Sequence, residues 1–413
     1  MKGRSLFFLI SKSITMNKDK LLTGNFVAIL ASNFLLFFAF YLILPVLPFY
    51  LIDQFGVSKI IVGVVLACYS VASLMMRCFS GYLLDTFRRK PLFLFGFFVF
   101  ASVFIGYILA ATITMFIALR IIHGLSFGLV SVGGNTIVID ITPSSRRGEA
   151  IGYYGLMNNL ALSFGPMVGL FMHAHYSYTA IFMCSLISSL LGIISAYFVS
   201  TPYKPPVKRA PISMDRFFLK KGIPAGLDLL LLSIPYGITT TYIALYAQEM
   251  HIPINSGYFF TLMAIGLAGS RFFSGKQADR GHVTQVIKLG LFGAIFTFAL
   301  LGSARSLMEW DVGVATSLFF FAALMLGVSF GTMFPAYDTL FVNLAPNTRR
   351  GTATASYLTS WDLGIGIGLL MGGIIGGIAT LDYAYMIGTV LSVISTIYFY
   401  VKVGPHYLKN KLR

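Results

Sequence analysis

Twelve separate stretches of this chain are long and apolar enough to cross a bilayer, which takes about 20 residues per helix. They lie near 24–50, 58–84, 91–110, 113–139, 149–173, 178–199, 223–248, 254–277, 283–304, 312–341, 351–378 and 383–403. Inside hydrocarbon every backbone N–H and C=O must be satisfied by the chain itself, so segments of this length are expected to be helices. Only 11% of the residues are charged and 57% are hydrophobic, whereas a soluble domain carries about 25% charge. A water-facing surface cannot be covered with that composition.

The formal charge is nevertheless +16. A nucleic-acid binder would gather its basic residues on a polar module. Here they punctuate the apolar runs, so the expected partner is the lipid bilayer and not nucleic acid. Their distribution also orients the spans, because Lys and Arg accumulate in cytoplasmic connections. With the N-terminus inside, 25 of the 30 basic residues fall on the cytoplasmic side. Two, Lys59 and Arg305, fall outside, and Arg77, Arg120 and Arg271 lie within spans. Both termini are therefore expected in the cytoplasm.

The segment TPYKPPVKRAPISMDRFFLKKG, residues 201–222, holds four prolines and six basic residues. It divides six spans from six as a cytoplasmic linker. The predicted organisation is a tail 1–23, a bundle 24–200, the linker 201–222, a second bundle 223–403 and a tail 404–413. The opening MKGRSLFFLISKSIT has five consecutive apolar residues, short of the about 7–15 of a signal-peptide core. Met16 begins a more ordinary membrane-protein start, so residues 1–15 are expected to be an extension ahead of it. Cys68, Cys78 and Cys184 all lie in apolar runs and show no metal-ligand spacing. No G-x-x-x-x-G-K-[ST] phosphate loop occurs. Neither metal nor cofactor is expected.

The stretch GLSFG, Gly124 to Gly128, poses a choice between an enzyme and a packing motif. It fits the G-x-S-x-G elbow of serine hydrolases, which needs a sharp strand-to-helix turn. It also fits the small-xxx-small spacing that lets membrane helices touch. Its near-copy GVSFG, Gly327 to Gly331, occurs 203 residues later. The same offset aligns PSSRRGEA (143–150) with PNTRRGTA (346–353). Earlier in each half, Arg77 to Gly81 through Asp85 matches Arg271 to Gly275 through Asp279 at an offset of 194. The change of nine falls in or near the ninth span and the connection SARSLMEWD. The chain therefore reads as two homologous six-span halves in parallel orientation, a design suited to alternating access around a midplane site. Ser126 and Ser329 sit inside uninterrupted spans, and packing is the expected role of their glycines. Gly165, Pro166 and Gly169, with the glycines of the eleventh span, are expected to serve close approach and bending.

These residues resemble the major facilitator superfamily over nearly the full length. GYLLDTFRRK (81–90) is similar to that family's cytoplasmic signature G-x-L-x-D-x-x-G-R-[KR], with Phe87–Arg88 where Gly–Arg is usual. The second copy, Gly275 to Gly281, is degenerate. Arg120-Ile-Ile-His123-Gly124 resembles the R-x-x-Q-G motif of drug:proton antiporters, with His for Gln. GPMVG (165–169) resembles their G-P-x-x-G motif, and residues 334–368 are similar to the arabinose-efflux-like exporter branch. The resemblance implies an all-α membrane protein whose 12 transmembrane helices form two pseudo-symmetric six-helix bundles. It also implies a conformational latch in which Asp85 and Arg88 engage Asp140 at the end of the fourth span. Arg77 and Arg271 stand near the loop acids Asp85 and Asp279, to brace them or to snorkel.

Ionisable residues within spans are functional candidates by default, since each costs about 2.5–3.5 kcal/mol at a helix centre. Asp362 lies mid-span, where its first-half counterpart is Asn159, and is expected to couple protons or substrate. Arg120 and His123 share a face of the fourth span. Asp338 replaces Asn135 of the first half, and Asp228 lies early in the seventh span. Both are candidates for the cavity mouth. The first span offers only Ser32 and Asn33. The expected function is proton-coupled efflux of a small organic compound across a bacterial inner membrane by a monomer. The alternatives are a proton-coupled importer of a sugar or organic acid, a membrane hydrolase built on Ser126, and a sensor without an output domain.

Overall fold

The computed structural model describes residues 21–143, 146–202, 219–346 and 350–412. Among these the chain is helical, with no strand. The first half runs α1 (Gly24–Ile43), α2 (Leu47–Phe55), α3 (Lys59–Thr86), α4 (Arg89–Leu109), α5 (Ile113–Ile141), α6 (Arg147–His175) and α7 (Tyr178–Tyr197). The second runs α8 (Ile223–Glu249), α9 (Gly257–Asp279), α10 (Val283–Trp310), α11 (Val312–Asn343), α12 (Arg350–Ile378), α13 (Leu381–Tyr398) and α14 (Gly404–Asn410). Eleven of the described helices are long and apolar enough to cross a membrane. The 23-residue α9 takes the place of the eighth span. The protein is thus a multi-pass membrane protein with the twelve-span, two-bundle fold expected from its sequence.

Hydroxyl and carboxylate caps start several of these helices. Thr23, Ser58, Thr112, Ser177 and Asp311 each accept a hydrogen bond from the backbone N–H three residues on. The caps satisfy donors that the first helical turn leaves bare. Two details depart from the sequence reading. The first span is not one helix: α1 stops at Ile43 and α2 starts at Leu47. Pro45 lies between them, and a proline inside a helix removes a hydrogen bond and clashes with the preceding turn. The last span also does not end at 403. It continues through a π-helical turn, Phe399–Val403, into α14. Tyr407 on α14 is buried, and its hydroxyl accepts a 3.0 Å hydrogen bond from Asn343 at the end of α11.

Packing repeats as the sequence does. In the first half α1 packs on α6 and α7, α5 on α3 and α4, and α4 on α7. In the second, α8 packs on α12 and α13, α11 on α9 and α10, and α10 on α13. Each contact of one half thus has its counterpart in the other. The halves join through two further pairs, α3 with α12 and α6 with α9, which the duplication also relates.

Close backbone approach explains the glycines of GLSFG and GVSFG. A Cβ on Gly124 would strike the Tyr69 carbonyl, and one on Gly128 would lie 2.5 Å from that of Ser73, both on α3. In the second half, Gly327 and Gly331 meet the backbone of α9 at Met263 and Leu267. Gly165 and Gly169 similarly meet α1 at Tyr41 and Leu42. Ser126 donates to the His123 carbonyl at 2.8 Å and Ser329 to that of Met325 at 2.7 Å, so both hydroxyls are spent on their own helices. Gly128→Leu, which overpacks the α3–α5 contact at a cost of about 1–3 kcal/mol or more, is expected to lower the thermal midpoint of detergent-purified protein markedly. Ser126→Ala is expected to leave it nearly unchanged.

Candidate functional site

The close contacts between the halves gather at the end of the bundle remote from the chain termini. There Gly63 of α3 and Gly373 of α12 touch, so that a Cβ on Gly63 would lie 3.0 Å from the Gly373 Cα. Beside them Lys59, the first residue of α3, forms an ion pair with Glu249, the last of α8. The second oxygen of Glu249 accepts from the Leu381 N–H at 3.3 Å. On the opposite flank Thr261 of α9 donates to the Met167 sulfur of α6 at 3.0 Å.

Deeper in the same α3–α12 interface, Arg77 forms an ion pair with Asp362. At about 1.5 Å per residue, Arg77 lies about 13 Å and Asp362 about 18 Å from the terminus-side ends of their helices. Their side chains are 21% and 24% exposed. Sequence reasoning placed Arg77 with the loop acids. Nine residues before the end of α3, it lies well inside the span and engages the acid of the other half instead. An ion pair this deep cannot rely on water to solvate either member alone.

Aromatic rings flank the pair from both halves. Phe40, Tyr69 and Phe127 stack with centroids 4.9–5.8 Å apart, and the Arg77 guanidinium lies 5.8 Å from the Phe127 ring. Across the interface Trp361 packs on Phe334 at 4.4 Å and on Tyr236 at 4.8 Å. Tyr41 adds to the first-half group, its ring 5.1 Å from that of Phe40.

The other candidates fall into separate places. Arg120 and His123 are fully buried inside the first half. His123 Nδ1 shares a 2.8 Å hydrogen bond with the Tyr107 hydroxyl, to which Arg120 donates at 3.5 Å. The Arg120 guanidinium lies 4.3 Å from the Tyr69 ring. This cluster is sealed behind aromatic rings and does not touch Asp362. Asp228 is fully buried in the second half, where Tyr337 of α11 donates to it at 2.5 Å and Ser395 of α13 at 2.6 Å. A candidate for the cavity mouth in the sequence, it ties three helices of one bundle together. Asn33 donates to the Tyr154 carbonyl at 3.0 Å, bracing α1 against α6. Asn159 is partly buried on α6. Arg271 on α9 and Asp338 on α11 are partly buried.

At the terminus-side end, Asp140 accepts from Arg89 at 2.8 and 2.6 Å, one bond to each oxygen. Arg89 also donates to the Leu84 carbonyl at 3.2 Å, so α3, α4 and α5 are clamped together. The expected partner was Arg88. That residue is the N-cap of α4, outside the helix, whereas Arg89 is on its first turn. The side chains of Asp85 and Asp279 lie outside the described residues. A surface cavity of about 350 Å³ at this end is lined by Leu21, Leu22, Arg146, Glu149 and Tyr153, and none of the central charges borders it.

Sequence reasoning missed the Lys59–Glu249 pair and the aromatic frame around Trp361. Lys59 was visible as one of two basic residues on the outer side. Its partner 190 positions away had no local signal. Chemically, the arrangement offers an interface between two helical bundles whose central ion pair forms only when the bundles are together. It has no nucleophile–base pair; among the described residues no His, Cys, Asp and Glu cluster suits a metal.

Comparison with known proteins agrees with this architecture. The family model that matches is the Major Facilitator Superfamily, over residues 29–364 and 294–413. An uncharacterized MFS-type transporter of Burkholderia pseudomallei (strain 1106a) is 27% identical over 366 residues, 86% of this chain and 86% of that protein. The "Staphylopine export protein" of Staphylococcus aureus (strain Mu50 / ATCC 700699) is 21% identical over 357 residues, 84% of this chain and 88% of that protein. Among solved structures, a D-xylose-proton symporter superposes with a TM-score of 0.76 at 14% identity, covering 95% of this chain and 100% of the other. Removing one member of the central pair strands the other charge, a loss of up to about 3–5 kcal/mol for a fully buried pair. Arg77→Met and Asp362→Leu are each expected to lower the thermal midpoint, and the double variant to recover most of it.

Proposed function

The chain belongs to the Major Facilitator Superfamily, and on that premise we propose that this secondary transporter exports a small organic compound from a bacterial cell in exchange for protons. It is a transporter and not an enzyme: its relatives and structural neighbours are transporters. The observation that carries the proposal is the Arg77–Asp362 pair, made between the halves in the middle of the span. A proton on Asp362 removes the negative charge that holds Arg77 and so weakens the bond between α3 and α12. Loss of the proton restores it. One group thereby links protonation to the separation of the two bundles, which is what alternating access requires.

The excess of basic residues on the terminus side puts that side in the cytoplasm. On this orientation the protein is closed to the outside, through Gly63, Gly373 and the Lys59–Glu249 pair. The Arg89–Asp140 clamp acts as a latch that fixes the cytoplasmic ends of α3, α4 and α5 as the first half moves. Export is favoured over import by the R-x-x-Q-G-like and G-P-x-x-G motifs and by the export named for the Staphylococcus aureus relative. Arg120 and His123 support the first half from within.

In proteoliposomes with an imposed proton gradient, wild-type protein is expected to acidify or alkalinise the lumen only when a transported compound is present, read with a trapped pH dye. Asp362→Asn is expected to abolish proton-linked flux at least tenfold while allowing substrate exchange across equal pH. Unchanged proton-driven flux in that variant would remove Asp362 from the coupling step.

A further inference from the structure

At their terminus-side ends the two halves each set a lysine on a tyrosine ring, but they leave the lysine in different states. In the first half Lys90, on the first turn of α4, lies 5.4 Å from the centroid of the Tyr197 ring at the end of α7. It also donates to the Tyr197 carbonyl at 2.7 Å, so its ammonium has an acceptor on the protein. In the second half Lys288 of α10 lies 4.2 Å from the centroid of the Tyr400 ring. Tyr400 follows α13 and is the repeat of Tyr197, 203 residues on. Among the described residues Lys288 donates to no carbonyl or carboxylate. The acids of α10 and α13, Glu309 and Asp382, lie at the far ends of those helices. One ring face meets one side of the cation. The other donors of the ammonium are left unmatched.

Depth places this ammonium at the edge of the bilayer. α10 has 28 residues, about 42 Å at about 1.5 Å each, against about 30 Å of hydrocarbon. About 6 Å of helix therefore projects at each end, and Lys288 lies about 8 Å from the terminus-side end, beside the phosphate layer. The surface around it faces lipid. Lys288, Phe292 and Phe296 recur every four residues along one ridge of α10. Val393, Ile397 and Tyr400 follow at helical spacing along α13 and its π-helical continuation. The two helices pack on each other, and the ridges meet where the Phe292 and Tyr400 rings stand edge to face at 6.3 Å. Leu289, Phe292 and Ile397 are 70%, 55% and 58% exposed, so none of the described residues covers the seam.

We infer that the seam between α10 and α13 binds an anionic phospholipid, its headgroup phosphate on Lys288 and an acyl chain along Phe292, Phe296 and Ile397. This needs only the membrane fold and is independent of the transport cycle proposed above. A phosphodiester supplies charged oxygens to the N–H groups that Tyr400 leaves unmet, at the depth where bilayer phosphates lie. The surrounding charge selects an anionic headgroup over a zwitterionic one. Beyond Tyr400 the chain adds Lys402, Lys409 and Lys411 and no acid, so a choline or ethanolamine group would meet only like charge there. A water-soluble phosphate ester shares the contact to Lys288 but lacks the chains that cover the apolar ridges. Lys90 offers no equivalent site, because its ammonium is already bonded to the Tyr197 carbonyl.

Full-length protein is delipidated in detergent and titrated with phosphatidylglycerol, with phosphatidylcholine of the same chains, and with sn-glycerol 3-phosphate. Bound lipid is counted by native mass spectrometry, and the thermal midpoint is followed in parallel. One phosphatidylglycerol is expected to bind at least fivefold more tightly than phosphatidylcholine and to raise the midpoint saturably, while glycerol phosphate leaves it unchanged. Lys288→Gln and Lys288→Met, two uncharged replacements on the outer surface, are each expected to weaken that binding at least fivefold. Lys288→Arg is expected to retain most of it, and Tyr400→Leu to give an intermediate loss. Lys90→Gln and Lys409→Gln are expected to leave the affinity within twofold of wild type, which separates a site from general attraction to basic residues. The inference is overturned if the two lipids bind alike or if the uncharged Lys288 variants bind as wild type does. It is equally overturned if Lys90→Gln or Lys409→Gln costs as much as Lys288→Gln. Glycerol phosphate that matched phosphatidylglycerol would make the ligand a soluble phosphate ester and overturn the lipid assignment.

Discussion

A charge taken out of water must be met by an opposite charge or by several well-placed donors, and in a bilayer the supply of either is limited to what neighbouring helices carry. Arg77 is met from the other half of the molecule. Had its partner lain within the first half, the two bundles would be held together by apolar contact, the Thr261–Met167 bond and the pair at their far rim. Because the partner is Asp362, the proposed coupling makes the electrostatic state of one carboxylate and the relative position of two bundles a single variable. Aromatic rings of both halves flank the pair.

The other buried ionisable groups show how differently the same constraint is met when no movement is required. Asp228 receives a hydroxyl on each oxygen, from two different helices of its own bundle. Arg120 lies against a tyrosine ring and shares a second tyrosine hydroxyl with His123. These solutions are internal to one half and pass unchanged through any rigid-body motion of the halves. Asp362, which duplication left against Asn159, is the one that meets the other half.

Much of this was legible in the residues. Apolar length and the Lys/Arg bias identify the spans, and the 203-residue echo of GLSFG identifies the duplication and with it the packing of α5 on α3. What sequence does not carry is the rotation of each helix about its own axis. Arg77 and Asp362 were both flagged, but for different tasks, because nothing local states that α3 turns Arg77 toward α12. The shift from Arg88 to Arg89 has the same origin: one residue is a rotation of about 100° on a helix, enough to decide which guanidinium meets Asp140. The partners of Asp228 were not legible because its two donors arrive from positions 109 and 167 residues away. The break between α1 and α2 was visible in Pro45 and Pro48, though apolar length alone concealed it.

Glu249 holds two partners at once, the Lys59 ammonium from the other half and the Leu381 N–H at the start of α13. The second of these belongs to its own bundle and stays in place whatever the first half does. When the rim parts and Lys59 withdraws, the carboxylate is left seated on a helix N-terminus, where the backbone dipole favours negative charge. The bond that closes this rim is therefore one whose breaking exposes a lysine to water and leaves no naked acid behind. A seal of that kind holds the rim shut at modest strength and releases it at modest cost, so the rim can follow the central pair without setting the pace.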